Sequence, residues 1–354
     1  MRPALKPGLL PVWRDRDTLQ IGIDPRRAVA LTGMADAAWV ISLLDGSRDR
    51  AQVIAAARDR GMPAELADRV LTLLAAGGAL DDFPAGTYRV LSRQLRARLA
   101  PELAATSLAH GYGDGGARAL ARRRAAHVRV LGGGRLEPAI TAILAASGIG
   151  QVDGGDARPA EPAPTEPAPA PAPAPARAAQ APAAQALPAR AGRAGGGRGQ
   201  AGRGQPGQAQ VTRPDLVVLV GVTDPELAAR LMRERIPHLA ASACEAIGVV
   251  GPLVLPGRSA CLRCLDLART DRDPAWPLIL AQLAGRQPDP PACDASLAAA
   301  VAAQAAAQAL AFTDRPDQPG PVANGTLELV LPGWQWRRRT WPPHQDCTCG
   351  RHSW

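Results

Sequence analysis

Apolar and polar residues alternate in short runs at the start of the chain and then settle into a helical spacing. LLPVWRD, TLQIGID and RAVALTG, separated by polar turns such as DRD and DPRR, predict three strands. MADAAWVISLLDG, DRAQVIAAARDRG and PAELADRVLTLLAAGGAL then place apolar residues three and four apart, so each offers one face to a core. In the first of these the face is Ala35, Trp39 and Leu43, with Val40 and Leu44 beside them. A small three-stranded sheet followed by three helices is a winged-helix-like α+β module, expected over residues 1–85. RVLSRQLRARLAPELAATSLAHG and GGARALARRRAA continue as helices with arginine-rich outer faces, a connector over residues 86–127.

The pattern then changes to α/β. Residues 127–131 read as a short buried strand, Gly132, Gly133 and Gly134 as a tight turn, 138–147 as an amphipathic helix and 148–152 as the return to a second strand. Such a turn lets a phosphate approach the backbone at a helix N-terminus, where free amides and the helix dipole favour negative charge. GGGRLE, however, has Glu137 where the last glycine of G-x-G-x-x-G would stand, and a carboxylate there opposes phosphate. The turn is equally the backbone of a nucleotide fold that has kept no ligand. Asp156, near the end of the second strand, is placed to bind ribose hydroxyls or to be a solvated strand end. This first part of the α/β domain spans 128–156, and its remainder 214–354.

Between them, residues 157–213 run through EPAPTEPAPAPAPAPARAAQ and GRAGGGRGQAGRGQPGQ, with no periodic apolar face, so a disordered insertion is expected. Afterwards LVVLV at 216–220 is a continuous apolar strand, 225–234 a helix and 238–243 another strand. Asp224 begins that helix, as an N-cap or as a magnesium-binding acid at the carboxyl edge of the sheet. LELVLPGWQWRRRTW adds two strand-like runs near the end.

The formal net charge is +9 with Lys6 the one lysine, and the arginines are spread over helices and the low-complexity run. A solvated surface accounts for them, and nucleic acid is not an expected partner. No apolar stretch at the N-terminus is long enough for a signal peptide, and the Ala-dominated helix at 295–312 reads as buried. A cytoplasmic protein without membrane contact is expected, so the six cysteines point to metal and free thiols.

Cys261 and Cys264 form a C-x-x-C knuckle, and Cys347 and Cys349 a second close pair in HQDCTCG. Four thiols in two pairs predict a closed, structural zinc site that clips the C-terminal strands onto the sheet. His344 and His352 flank the second pair and are alternative ligands. Of the other two thiols, Cys244 lies in an apolar run and is expected buried. Cys293 precedes a helix, which would lower its pKa.

VRVLGGGRLEPAITAILAASGIG, DLVVLVGVTD, CLRCLDL, PPACD before an Ala-rich helix and the closing CTC pair together resemble the ThiF family, relatives of ubiquitin-activating enzymes. The resemblance covers roughly 128–350 and implies a Rossmann-like adenylation domain with structural zinc, a homodimer, and ATP and magnesium as cofactors. It implies Gly132, Gly133 and Gly134 as the nucleotide loop, Asp156 as the ribose-binding acid and Asp224 as the magnesium-binding acid. The arginine and lysine that the family places on the phosphates have no counterpart, because the proline-alanine insertion stands there. The small module ahead of this domain is similar to leader-peptide-binding proteins of azole-forming peptide pathways. That likeness implies a precursor peptide added as a strand at 27–32 beside the helix at 64–76, presented to a YcaO-type cyclodehydratase. An active adenylyltransferase acting on a peptide carboxylate is the alternative, and a winged-helix DNA-binding regulator the third reading.

Overall fold

A computed structural model describes residues 1–33, 36–82, 91–154, 213–283, 292–318 and 320–350. Asp156, residues 157–212 of the insertion and His352 lie outside them.

The N-terminal region is a small α+β unit around its own core. Strand β1 (Pro3–Leu5) precedes β2 (Pro11–Trp13), β3 (Thr18–Ile21) and β4 (Val29–Thr32), which make an antiparallel sheet in the order β2-β3-β4. Helices α1 (Ala37–Ser42), α2 (Arg50–Asp59) and α3 (Ala64–Ala76) cover one face, with Leu19, Ile21, Leu31, Val53, Leu71 and Leu74 all buried between the layers. Asp49 starts α2 through a capping box with Gln52, satisfying amides that the first turn leaves free. Strand β5 (Leu80–Asp82) then returns to pair antiparallel with β1, a two-stranded sheet that the alternation did not predict.

Lys6, Asp81 and Ser107 weld this unit to the next helix, α4 (Arg93–His110). The Lys6 ammonium donates to Asp81 Oδ1 at 2.6 Å and to Ser107 Oγ at 2.7 Å, and all three residues are buried. Helix α5 (Ala117–Ala125) follows, and its Arg123 makes a two-pronged ion pair with the buried Asp314, at 2.8 and 2.7 Å.

The larger part is a seven-stranded sheet. Strand β6 (His127–Leu131) leads through the glycine turn into α6 (Leu136–Ala146) and β7 (Gln151–Asp153). Next come β8 (Leu216–Val220), α7 (Pro225–Arg233), β9 (His238–Cys244) and β10 (Ile247–Val254). After them α8 (Leu262–Thr270), α9 (Trp276–Leu283), α10 (Ala295–Asp314), β11 (Gly325–Val330) and β12 (Trp336–Thr340) complete the domain. The order is β12-β11-β10-β9-β8-β6-β7; β7, β6, β8 and β9 are parallel, and the rest pair antiparallel.

Helix α10 packs on the centre of this sheet with Leu297, Val301, Ala305 and Ala309 buried, and Asp294 caps its start at 2.7 Å. It is long and apolar enough to cross a membrane, yet its apolar stripe is the floor of the core. Its small side chains suit the tight approach: a side chain at Gly248 of β10 would run into Val301.

Candidate functional site

Three places hold the chemistry. The first is the thiol cluster. Cys261 caps α8 and Cys264 sits in its first turn, while the segment after β12 brings back Cys347 and Cys349. Cys261 Sγ lies 3.7 Å from Cys264 Sγ and 3.6 Å from Cys347 Sγ, and Cys264 Sγ lies 3.3 Å from Cys349 Sγ. All four sulfurs fall within 4.8 Å of one another. Thiolates at about 2.3 Å from one tetrahedral ion stand roughly 3.8 Å apart, so this donor set fits a metal such as zinc. The Cys261 thiol hydrogen bond holds Cys264 down to about 4, while burial pushes Cys349 up to about 12. His344 faces away: its Nε2 meets Asp271 Oδ2 at 2.8 Å, which raises its pKa.

The second place is the carboxyl end of the parallel strands. Gly132 has φ of 135°, and a side chain there would collide with the Val220 carbonyl, so the backbones of the two loops touch at this end of the sheet. Gly134 is also left-handed, at 74°. The first turn of α6 carries Glu137, whose carboxylate lies against the loop after β7, where a side chain on Gly154 would meet it. Glu137 Oε1 also accepts from Thr141 Oγ1 at 3.4 Å, so this carboxylate sits beside the first turn of α6. Asp224 Oδ1 accepts from Glu226 N at 2.9 Å as the cap of α7.

The remaining thiols reverse both expectations. Cys244 is exposed, because β9 outruns the sheet core before a turn at Glu245 and Ala246. Cys293 is raised in pKa, chiefly by burial, against the direction expected of a helix start.

The third place is the groove between β4 and α3. Gly33 N bonds Asp17 O at 3.0 Å, and with the register Leu19↔Leu31 this turns the backbone groups of Val29 and Leu31 towards β3. Those of Ala30 and Thr32 therefore face the open edge of β4. Across from it α3 exposes Leu73, and a side chain at Gly77 would strike Val29, so the groove closes at that end. Sequence reasoning missed Lys6 with Asp81 and Ser107; the one visible signal was that the chain has a single lysine.

No family model and no curated protein matches the chain. Solved structures do. A heterocyclase in complex with substrate and cofactor aligns over 99% of this chain at 17% identity, TM-score 0.61. The heterocyclase TruD aligns over 99% at 18% identity, TM-score 0.59. The chain spans only 39% and 43% of those two proteins. MccB of E. coli, with AMPCPP and MccA, aligns over 99% of both chains at 14% identity, TM-score 0.60. At these identities the likeness speaks for the fold alone: the chain shares the α/β fold of MccB and of the part of each heterocyclase it aligns with.

Proposed function

We propose that the chain binds a precursor peptide and presents it to a separate ATP-dependent modifying enzyme such as a YcaO-type cyclodehydratase, its own adenylation site being degenerate. The observation that carries this is the open edge of β4, with two backbone residues turned outwards beside the exposed Leu73 of α3. An extended peptide adds to such an edge by main-chain hydrogen bonds and seats alternate side chains against the helix. In this reading residues 1–82 act as a winged-helix-like recognition module. The four cysteines hold a structural zinc, which supplies a rigid clip and no open coordination position. Similarity to MccB and to heterocyclases, proteins solved with MccA and with a substrate, favours a place in peptide natural product biosynthesis.

The adenylation site reads as degenerate because Glu137 puts a negative charge in the first turn of α6, where a phosphate would be repelled, and Asp224 serves as a cap. The second reading, an active adenylyltransferase, draws on the close backbone approach at Gly132 and on MccB having been solved with AMPCPP. A DNA-binding regulator has less support, since α3 shows Glu65 and Asp68 beside Arg69.

The test uses the full chain. Titrated with ATP and magnesium in a calorimeter it should give no binding heat. Panned against arrayed short synthetic peptides it should retain a subset, and Ala30→Pro, which removes one outward amide and leaves the β3 ladder intact, should release them. ATP binding with ATP-pyrophosphate exchange that disappears in Asp224→Ala would establish the adenylyltransferase instead.

A further inference from the structure

The far edge of the seven-stranded sheet carries a second set of features, next to the small core that Trp341 shares with Cys261, Cys264 and Cys347. Strand β12 is the last strand, and Trp341 N bonds Asn324 O at 2.9 Å. With the register Leu329↔Trp336, this turns the backbone of Arg337 and Arg339 towards β11 and that of Trp336, Arg338 and Thr340 towards the open side.

Arginines crowd the same face. Trp341, buried behind the strand, has Arg339 stacked at 4.8 Å, Arg272 at 5.4 Å and Arg269 at 5.6 Å from its ring centre. Arg269 also covers Trp276 of α9 at 4.8 Å. The carboxylates nearest them are Asp266, 3.6 Å from Arg269, and Glu328, 3.9 Å from Arg339. Arg272 and Arg337 are exposed and have no carboxylate within 4 Å among the described residues. Burial pushes the Arg269 pKa down, and the neighbouring Arg339 guanidinium pushes it further. Beside this cluster lies α9, of which no residue is buried and whose Leu278 is 65% exposed.

We infer that the β12 edge is a docking surface for an acidic, extended segment of a partner protein, which pairs with β12 as an added strand and sets its carboxylates on Arg337, Arg339 and Arg272. Charge complementarity selects that partner. Among the described residues these four guanidinium groups have two carboxylates within 4 Å, Asp266 and Glu328, so the site carries a local excess of positive charge that favours an incoming anion. Blunting the edge against aggregation would need a charge on the strand, but not Arg269 in the last turn of α8 and Arg272 just past its end. Nucleic acid fits less well: Trp341, at the centre of the cluster, is 2% exposed and cannot stack on a base, Trp276 lies under Arg269, and the exposed apolar residues of α9 are Leu278, Ile279 and Leu283. This inference does not depend on what the N-terminal groove binds.

The full chain is titrated by fluorescence anisotropy with an alternating glutamate-valine octapeptide, its lysine-valine counterpart and a short DNA duplex. The acidic peptide should bind and weaken with salt, and the basic one should not bind. Arg337→Glu, at an exposed side chain, should weaken the acidic peptide about tenfold, as expected for a reversed charge at an interface. Thr340→Pro, which deletes an outward amide, should weaken it too, while both variants keep the parent melting temperature. Arg272→Glu, on a different element, stands in should either fail to fold. Equal binding of both peptides, no binding of the acidic one, indifference to Arg337→Glu, or tighter binding of the duplex would each overturn the inference.

Discussion

At one end of the molecule β1 and β5, three residues each, stay paired because Lys6 and Asp81 are sealed beneath α4 with Ser107. At the other end the segment after β12 stays on the domain through four sulfurs gathered around the start of α8. Both fasten sequence-distant segments, but by opposite physics. A buried ion pair contributes little net stability while being costly to break by halves, because the surviving charge has no solvent. A thiolate cluster contributes little until a cation arrives and then a great deal. The N-terminal fastening is thus intrinsic to the chain, and the C-terminal one is conditional on metal.

The sharpest way to break that contrast is to remove the metal. Structural zinc sites supply binding free energy on the order of 10 kcal/mol at neutral pH. A strong chelator, or Cys264→Ser, should free the segment after β12, so that limited proteolysis cuts there first while peptide retention by the N-terminal region persists. Zinc content measured on native protein should be near one ion per chain. Simultaneous loss of both ends would mean they are not independently fastened.

Next in size is the ion pair. Lys6→Met leaves Asp81 buried with only Ser107 to solvate it, and should cost about 3–5 kcal/mol. The double change Lys6→Met with Asp81→Leu should recover much of that, because no orphan charge remains. Melting curves of the three proteins decide it: a double variant as unstable as the single one would show that packing, and not the unpaired charge, sets the cost.

These two fastenings were unequally legible in the sequence. The C-x-x-C knuckle is a local pattern with one chemistry, so the thiols could be grouped before any coordinates. Lys6 and Asp81 are 75 positions apart in strands too short for alternation to register, and no local rule joins them. Gly251 and Pro252 interrupt the apolar run of β10, which weakens its signal as a strand; the sheet takes them in by a register shift between Val250 and Leu253. The regular α/β elements were legible because buried parallel strands and amphipathic helices carry strong periods. The groove and the arginine cluster on Trp341 depend on which backbone edge is left open, and that is a property of pairing, not of composition. Cys244 misled for a related reason: an apolar run says that a strand is buried, but not where the sheet stops covering it.

The smallest effect sits between the two ends, at the strand where parallel pairing gives way to antiparallel. His238 opens β9, opposite Val217 on one side and Val254 on the other, fully buried. Its Nδ1 lies 3.0 Å from the Ile236 carbonyl, and its Nε2 has no partner. Burial holds its pKa below the ordinary 6.5, so the folded chain keeps it neutral while the unfolded chain protonates. Above that value both states are neutral and pH has no leverage through this group. As pH falls below it the unfolded state binds the extra proton, and stability declines by up to about 1.4 kcal/mol per pH unit until the folded pKa is reached. Amide protection factors, with the base-catalysed intrinsic exchange rate divided out, should therefore fall in β8 and β9 between pH 7 and 5 before they do in α2 and α3, and His238→Leu should flatten that difference. If the N-terminal helices loosen first and the substitution changes nothing, acid acts on another group and the centre of the sheet is not the pH-sensitive link between the two fastenings.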